Sequence, residues 1–327
     1  MIKFLIIRFS SIGDIVLTTP VVRCLKKQLE GAEIHYVTKK KFASVLYGNP
    51  YIDKIHLFDG DLNKTITELK SEKFDYVIDL HHNLRSLIVK FRLGVMDFSF
   101  NKLNLKKWLL VHFKINKLPR VHIVNRYLDT VKLFDIVNDN QGLDYFIPSS
   151  DEVNVDSLPE TFRNGFISFV IGARHATKRL PNDKIISVCR KINLPVILLG
   201  GKEDMANGDE IAEIAGEKIL NMCGKLNLNQ SASLVRQSRL VISHDTGLMH
   251  IAAAFKKKII SVWGNTVPEF GMYPYQPDED SQIIEVPGLK CRPCSKLGYE
   301  KCPQKHFNCM NLIDEARIVT LAVRWFG

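Results

Sequence analysis

A chain of 327 residues with 46% hydrophobic content and a mean hydropathy of −0.04 exceeds one ordinary core, so two globular domains are expected. No run approaches the roughly 20 apolar residues of a transmembrane helix, and the apolar stretch after Met1 is too short for a signal peptide, which points to a cytoplasmic location. The net charge of +10 is carried mainly by residues 1–150, with 23 Lys and Arg against 15 Asp and Glu; no helix-turn-helix, zinc-finger or RNA-recognition signature accompanies it, which argues against a nucleic-acid partner.

Residues 3–8 predict a strand, followed by a Ser-Ser-Ile-Gly-Asp turn and a helix over 15–29. Strands at 33–38, 54–58 and 76–80 alternate with a helix beginning at 42–47 and another over 62–71. Segment 85–132 reads as helical or irregular, with a helix near 124–134. It holds eleven basic residues against two acids, Asp97 and Asp129, interleaved with Phe91, Phe98, Phe100, Trp108, Leu109, Leu110 and Phe113. That mixture suits an anionic membrane surface or an amphiphilic anionic substrate; the alternative is a solvated face on core-facing helices. Residues 139–165, rich in Asn, Asp, Ser, Pro and Gly, predict a linker. Beyond it come strands at 166–171, 195–199, 240–243 and 258–263, with helices over 183–192, over 209–215 and from Gly247. This alternation predicts an α/β protein of two Rossmann-like parallel-sheet domains, 1–155 and 156–327, facing a central cleft.

Chemistry concentrates where strands run into helices. Residues 240–254 join an apolar strand to a small-residue helix through Ser-His-Asp-Thr-Gly. The junction aims backbone N–H groups and a helix dipole at one point, as a bound phosphate requires. Asp245 and Thr246 are suited to cap that helix, Gly247 permits close backbone approach, and His250 lies one turn further on the Thr246 side. A second junction, Arg8-Phe9-Ser10-Ser11-Ile12-Gly13-Asp14, is not the glycine pattern of a nicotinamide-dinucleotide site. It places the Asp14 carboxylate where it could take a proton from an attacking hydroxyl, or simply cap the helix. The loop at 172–181 carries Arg174, Lys178 and Arg179, cations suited to a phosphate, although basic loops before helices are common; the Gly200-Gly201 turn carries Glu203, which could accept hydrogen bonds from a nucleoside or simply belong to a charged turn. Cys291, Cys294, Cys302 and Cys309, with His306, have partial zinc-ligand character but match no standard finger spacing, and read more readily as a loop-rich flap.

Together, Arg-Phe-Ser-Ser-Ile-Gly-Asp, Gly-Ala-Arg…Lys-Arg-Leu-Pro, Leu-Gly-Gly-Lys-Glu and Asp-Thr-Gly-Leu-Met-His resemble glycosyltransferase family 9, the ADP-heptose:lipopolysaccharide heptosyltransferases, over nearly the whole chain. The resemblance implies a GT-B architecture, with the acceptor bound by the first domain and the nucleotide sugar by the second. It makes Asp14 the catalytic base, Lys178 a contact of the donor diphosphate, Glu203 the acid at the nucleoside, and Asp245, Thr246, Gly247 and His250 the diphosphate motif. Ser10, Ser11, Gly13, His81, Asn83 and Arg85 become expected acceptor contacts. Where the family often carries Trp, this chain has Leu180. The activity implied is inverting transfer of a heptose from ADP-heptose to a lipid A–Kdo or other lipopolysaccharide core acceptor, at the cytoplasmic face of the inner membrane, with neither cofactor nor metal. The alternatives are transfer of another sugar, or a non-catalytic nucleotide-binding or lipopolysaccharide-scaffolding protein on the same fold.

Overall fold

The computed structural model describes residues 1–327. The chain forms two compact units, Met1–Lys102 with Val121–Pro148 and Leu103–Arg120 with Ser149–Gly327. The division falls a few residues before the expected 155/156, and residues 103–120 belong with the second unit rather than the first. Their allegiance follows from packing. Leu110 sits with Val267 and Phe270, and Lys107 lies 5.7 Å from the Phe270 ring centroid. Lys114 Nζ donates to the Pro293 carbonyl at 2.7 Å.

The first unit contains β1 (Ile2–Ile7), β2 (Ala32–Lys39), β3 (Lys54–Phe58), β4 (Tyr76–Asp79) and β5 (Met96–Ser99) in the order β3-β2-β1-β4-β5, all parallel. Its helices are α1 (Ile12–Val16), α2 (Thr19–Gln28), α3 (Leu62–Ser71), α4 (Leu84–Leu93) and, after α5 (Asn104–Phe113) of the second unit, α6 (Ile123–Leu128). Strand β1 is apolar on both faces because helices cover both; Phe4, Leu5, Ile6 and Ile7 are fully buried. The helix expected over 15–29 is two helices. Pro20, in the first turn of α2, has no N–H to continue the ladder, and the Thr18 hydroxyl lies 2.9 Å from Tyr36 Oη. Where a helix was expected to begin at 42–47, residues 40–45 form a 3₁₀ turn.

The second sheet has the order β11-β10-β9-β6-β7-β8, again all parallel: β6 (Ile167–Val170), β7 (Val196–Leu199), β8 (Ile219–Asn221), β9 (Leu240–His244), β10 (Lys258–Trp263) and β11 (Gln282–Glu285). It is accompanied by α7 (Glu160–Arg163), α8 (Asn182–Ile192), α9 (Met205–Ala215), α10 (Leu228–Gln237), α11 (Gly247–Ala254), α12 (Asn308–Asn311) and α13 (Glu315–Phe326). Ile167, Phe169, Leu198 and Ile242 of the strands bury against Ile185, Val188 and Cys189 of α8 and Ile318 of α13. No helix is long and apolar enough to cross a membrane.

Each sheet order reverses direction at one place: between β1 and β4 in the first, between β6 and β9 in the second. Loops leaving the carboxyl ends of strands on either side of such a reversal diverge, and the gap they leave is where open α/β sheets take ligands. The loop after β1 carries Ser10–Asp14 and that after β4 carries His81–Asn83. The loop after β6 carries Arg174–Arg179, and the turn after β9 carries Asp245–Gly247.

Candidate functional sites

At the first reversal, Asp14 is held from two directions. Arg8 Nη2 lies 2.6 Å from Asp14 Oδ1, while the Ser11 hydroxyl and backbone N–H donate to Oδ2 at 2.7 and 3.1 Å. Arg8 is itself fixed: its guanidinium donates to the carbonyls of Leu80 and Ser10 and, at 3.1 Å, to Tyr127 Oη. A nearly buried arginine therefore locks the carboxylate in place, and the Asp14 side chain keeps 21% exposure, enough to meet an incoming hydroxyl. The Ser11 N–H contact closes the first turn of α1, so Asp14 fills the capping role the sequence allowed.

The neighbouring expected contacts divide. His81 is half-buried edge-on to Phe9, ring centroids 5.4 Å apart; burial, helped by Arg8, holds its imidazole down to about 3, so it is a neutral ring. Its buried Nδ1 makes no hydrogen bond within the protein. Arg85 stacks over Phe58, 4.8 Å from the ring centroid, with Phe9 at 5.7 Å. Asn83 is engaged in capping α4, accepting from Ser86 N at 3.0 Å, and the His82 ring nitrogen lies 2.8 Å from the Phe100 carbonyl. The Ser10 carbonyl serves Arg8, and Gly13 is buried in α1. Asp79, unremarked in the sequence, organises the loop, accepting from the N–H groups of His81 and His82 at 2.9 and 2.7 Å and from Ser86 Oγ at 2.7 Å.

At the second reversal, Lys178 Nζ donates to Asp245 Oδ2 at 2.5 Å, joining the loops after β6 and β9, and Thr266 Oγ1 donates to the same oxygen at 2.9 Å. Thr246 occupies the N-cap of α11 in an extended conformation, but neither it nor Asp245 caps the helix as expected. Its hydroxyl lies 3.2 Å from Ser243 Oγ instead, and the Asp245 carboxylate is turned toward Lys178. The first-turn N–H groups of α11, with Gly247 at their head and His250 buried behind, thus receive no side-chain cap. An ammonium beside uncapped N–H groups is an arrangement for binding an anion.

Two residues hidden to sequence reasoning brace these loops. His244 Nε2 accepts from Leu180 N at 2.9 Å, so its remaining proton is on Nδ1; complete burial, reinforced by Arg179, lowers the imidazole to about 3. Leu180 itself points into the core, where it is 2% exposed. Asp204 is buried and joins the two glycine turns. Oδ2 accepts from Gly201 N at 2.9 Å, Oδ1 lies 3.1 Å from Arg179 Nη1, and burial raises its pKa although both contacts oppose the rise. A Cβ at Gly172 would lie 2.2 Å from Asp204 Oδ2, so that glycine is required by the carboxylate packed against it. Arg179 is thereby committed to Asp204 and to the Ala173 carbonyl, whereas Arg174 and Glu203 are exposed at the loop surfaces.

Beside this region Lys114, Lys290 and Arg292 line a cavity of about 560 Å³ with Val267, Val286, Gly288 and Leu289. Arg292 donates to the carbonyls of Gly264 and Thr266 at 2.6 and 2.8 Å, and so supports the segment that carries Thr266 to Asp245. Of the cysteines, Cys309 is buried and pushed up to about 12, and Cys291 Sγ lies 3.8 Å from His306 Nε2. The four do not converge as a set of ligand atoms within 4.8 Å of one another. The apolar residues of 85–132 separate: Phe100 and Leu110 are buried, while Phe91, Trp108 and Phe113 are exposed.

Comparison with known proteins agrees with this arrangement. Lipopolysaccharide heptosyltransferase 1 of Campylobacter coli is 26% identical over 351 residues, covering 99% of both chains. The glycosyl transferase family 9 protein of Veillonella parvula superposes with a TM-score of 0.79 at 22% identity, covering 98% of this chain and 97% of that one. E. coli ADP-heptose lps heptosyltransferase II superposes at 0.71 with 19% identity and 99% coverage of both. The fold is accordingly of the GT-B class, built on two parallel-sheet α/β domains. Residues 62–302 match the sequence model of Glycosyltransferase family 9 (heptosyltransferase), and the chain belongs to that family.

Proposed function

We propose that this glycosyltransferase moves a heptose from ADP-heptose to the lipopolysaccharide inner core, with a lipid A–Kdo acceptor, inverting the anomeric centre and using no metal. The observation that carries the reading is the distribution of chemistry over the two sheet reversals: a positioned carboxylate at one, an ammonium beside an uncapped helix N-terminus at the other. In the proposed step an acceptor hydroxyl oxygen attacks the anomeric carbon from the face opposite the diphosphate. Its proton passes to Asp14, the carbon–oxygen bond to the diphosphate breaks, and the bonding pair leaves on ADP. Lys178, the N–H groups at Gly247 and the adjacent His250 stabilise the developing charge, which is the work a divalent cation does elsewhere. Glu203 and Arg174 lie on exposed loop surfaces where they serve the nucleoside and phosphate. His81, Arg85 and Ser11 border Asp14 and are assigned to the acceptor.

An exposed apolar stripe on α4 supports an amphiphilic acceptor. Leu84, Leu87, Ile88 and Phe91 occupy successive turns of one helix face and are exposed, with Phe91 at 86%. The helix is capped by Asn83, in the loop beside that of Asp14, and it carries the cations Arg85 and Arg92 with no acidic residue. This suits acyl chains and phosphates at the cytoplasmic leaflet. The test is transfer of radiolabelled heptose from ADP-heptose to lipid A–Kdo, with UDP- and GDP-sugars as competitors. Product formed from the ADP-sugar alone supports the reading. ADP binding without transfer would favour a non-catalytic role, and preference for a UDP- or GDP-sugar would overturn the donor.

A further inference from the structure

His35 on β2 and His56 on β3 point to the same face of the first sheet, because Val37, two residues after His35, is paired in register with His56. Over them lies α3, which presents Glu68, with Glu72 one turn further on at its C-cap. Both imidazoles are buried, at 1% and 0% exposure. His35 Nδ1 is 3.0 Å from His56 Nε2, His35 Nε2 is 2.8 Å from Glu33 Oε1, and His56 Nδ1 is 2.7 Å from Glu68 Oε1. Glu72 Oε2 approaches His35 Nδ1 at 3.9 Å while its other oxygen holds Lys54 at 2.5 Å.

With both imidazoles neutral, the row is one hydrogen short. Its three contacts each need one hydrogen, yet two neutral imidazoles supply only two. The missing unit of positive charge belongs between the facing nitrogens, beside a carboxylate. We propose that His35 Nδ1, His56 Nε2 and Glu72 Oε2 bind a divalent transition-metal cation of the zinc type. These three are the set of His, Cys, Asp or Glu ligand atoms in the chain that converges within 4.8 Å. Both rings then serve as neutral ligands, and each keeps its outer N–H on a carboxylate, Glu33 or Glu68, which is how metal-bound histidines are ordinarily oriented. Two nitrogens on a tetrahedral zinc stand about 3.3 Å apart, so the rings need to part by only a few tenths of an ångström. Glu72 is the one partly exposed ligand, which leaves its side for a water as the fourth. The cation's place is structural. His35 pairs with Leu5 in mid-sheet, well short of the carboxyl ends where Asp14 lies, and the metal would tie the edge strand β3 to β2 and α3.

The experiment uses the full chain with Cys291→Ser and Cys294→Ser, so that thiolates do not compete. Cobalt(II) titration followed by visible absorption, zinc displacement and thermal unfolding with and without zinc provide the readouts. Expected is one equivalent bound with nitrogen and oxygen ligation and no thiolate charge-transfer band, with unfolding shifted upward by zinc. Glu72→Gln and His56→Gln should abolish binding, and Glu68→Gln should weaken it on the order of 10–100-fold. Lys54→Ala, at an exposed position, should strengthen binding by releasing Glu72. Absence of a bound equivalent, or cobalt binding unchanged by Glu72→Gln in a protein that still unfolds cooperatively, would overturn the proposal.

Discussion

Replacing Lys178 with Met removes the one ammonium that joins the two loops of the second reversal. In the protein alone it neutralises Asp245 at 2.5 Å, and both side chains are largely buried, at 16% and 12% exposure. In the proposed donor site a bound diphosphate would bring further negative charge beside that carboxylate, so Lys178 would have two duties: donating to phosphate and screening Asp245. Loss of a charge-assisted hydrogen bond is worth about 1.5–3 kcal/mol. The unscreened repulsion between Asp245 and a phosphate about 5 Å away adds up to ~3 kcal/mol at an effective dielectric constant near 20. Lys178→Met should therefore weaken ADP binding by at least ~10-fold and up to on the order of 10⁴-fold. Removing the repulsion should restore part of the loss, so Lys178→Met/Asp245→Asn should bind ADP more tightly than Lys178→Met alone. Titration calorimetry of wild type, both single variants and the double variant closes the cycle. Equal affinity in wild type and Lys178→Met, or strictly additive losses, would refute the bridging role.

Two further perturbations read out the supports of the second site. Gly172→Ala drives a methyl group to 2.2 Å from the buried Asp204 carboxylate, which Gly201 and Arg179 hold in place; overpacking of this kind costs about 1–3 kcal/mol. A thermal midpoint lower by roughly 3–10 °C is expected, with much of the loss recovered in an Asp204→Ala background, and an unchanged midpoint would contradict the packing described. His244, held at about 3 against an ordinary 6.5, takes up a proton in the unfolded chain before the folded one. Its contribution is complete above pH 6.5 and falls as the pH drops from there toward 3, amounting to about 2 kcal/mol lost at pH 5. Denaturant unfolding of wild type and His244→Gln at pH 7 and 5 should show the variant losing less; parallel losses would assign the acid sensitivity elsewhere.

The parts of the fold legible in the sequence are those where burial is two-sided. Strands β1, β6, β7 and β9 are nearly uninterrupted apolar runs because helices cover both faces, and they mark the parallel sheets unaided. Of the outer strands only β3, at 54–58, was legible. β5, Met-Asp-Phe-Ser, β8, Ile-Leu-Asn, and β11, Gln-Ile-Ile-Glu, lie at sheet edges, carry polar residues and are three or four residues long. Nor does α5 announce its allegiance, since contacts with Val267 and Phe270 join residues more than 150 positions apart in the chain. In the candidate sites the residues on the loops, Asp14, Lys178 and Asp245, stood out by type and position. Their supports did not: Arg8 reads as a strand-end cation and Asp204 as a turn acid beside the more exposed Glu203. The His35–His56 pair emerges only when β2 and β3 align, because neither histidine has a ligand-spaced partner along the chain.

The proposed step turns on proton removal by Asp14, a carboxylate the fold holds between Arg8 and Ser11. Asp14→Asn preserves size and most of the local hydrogen bonding while removing the base. Single-turnover transfer from ADP-heptose, measured beside ADP affinity in the same preparation, should show the rate reduced by about 10²–10⁴-fold with nucleotide affinity essentially unchanged. Transfer by Asp14→Asn at the wild-type rate would contradict the account.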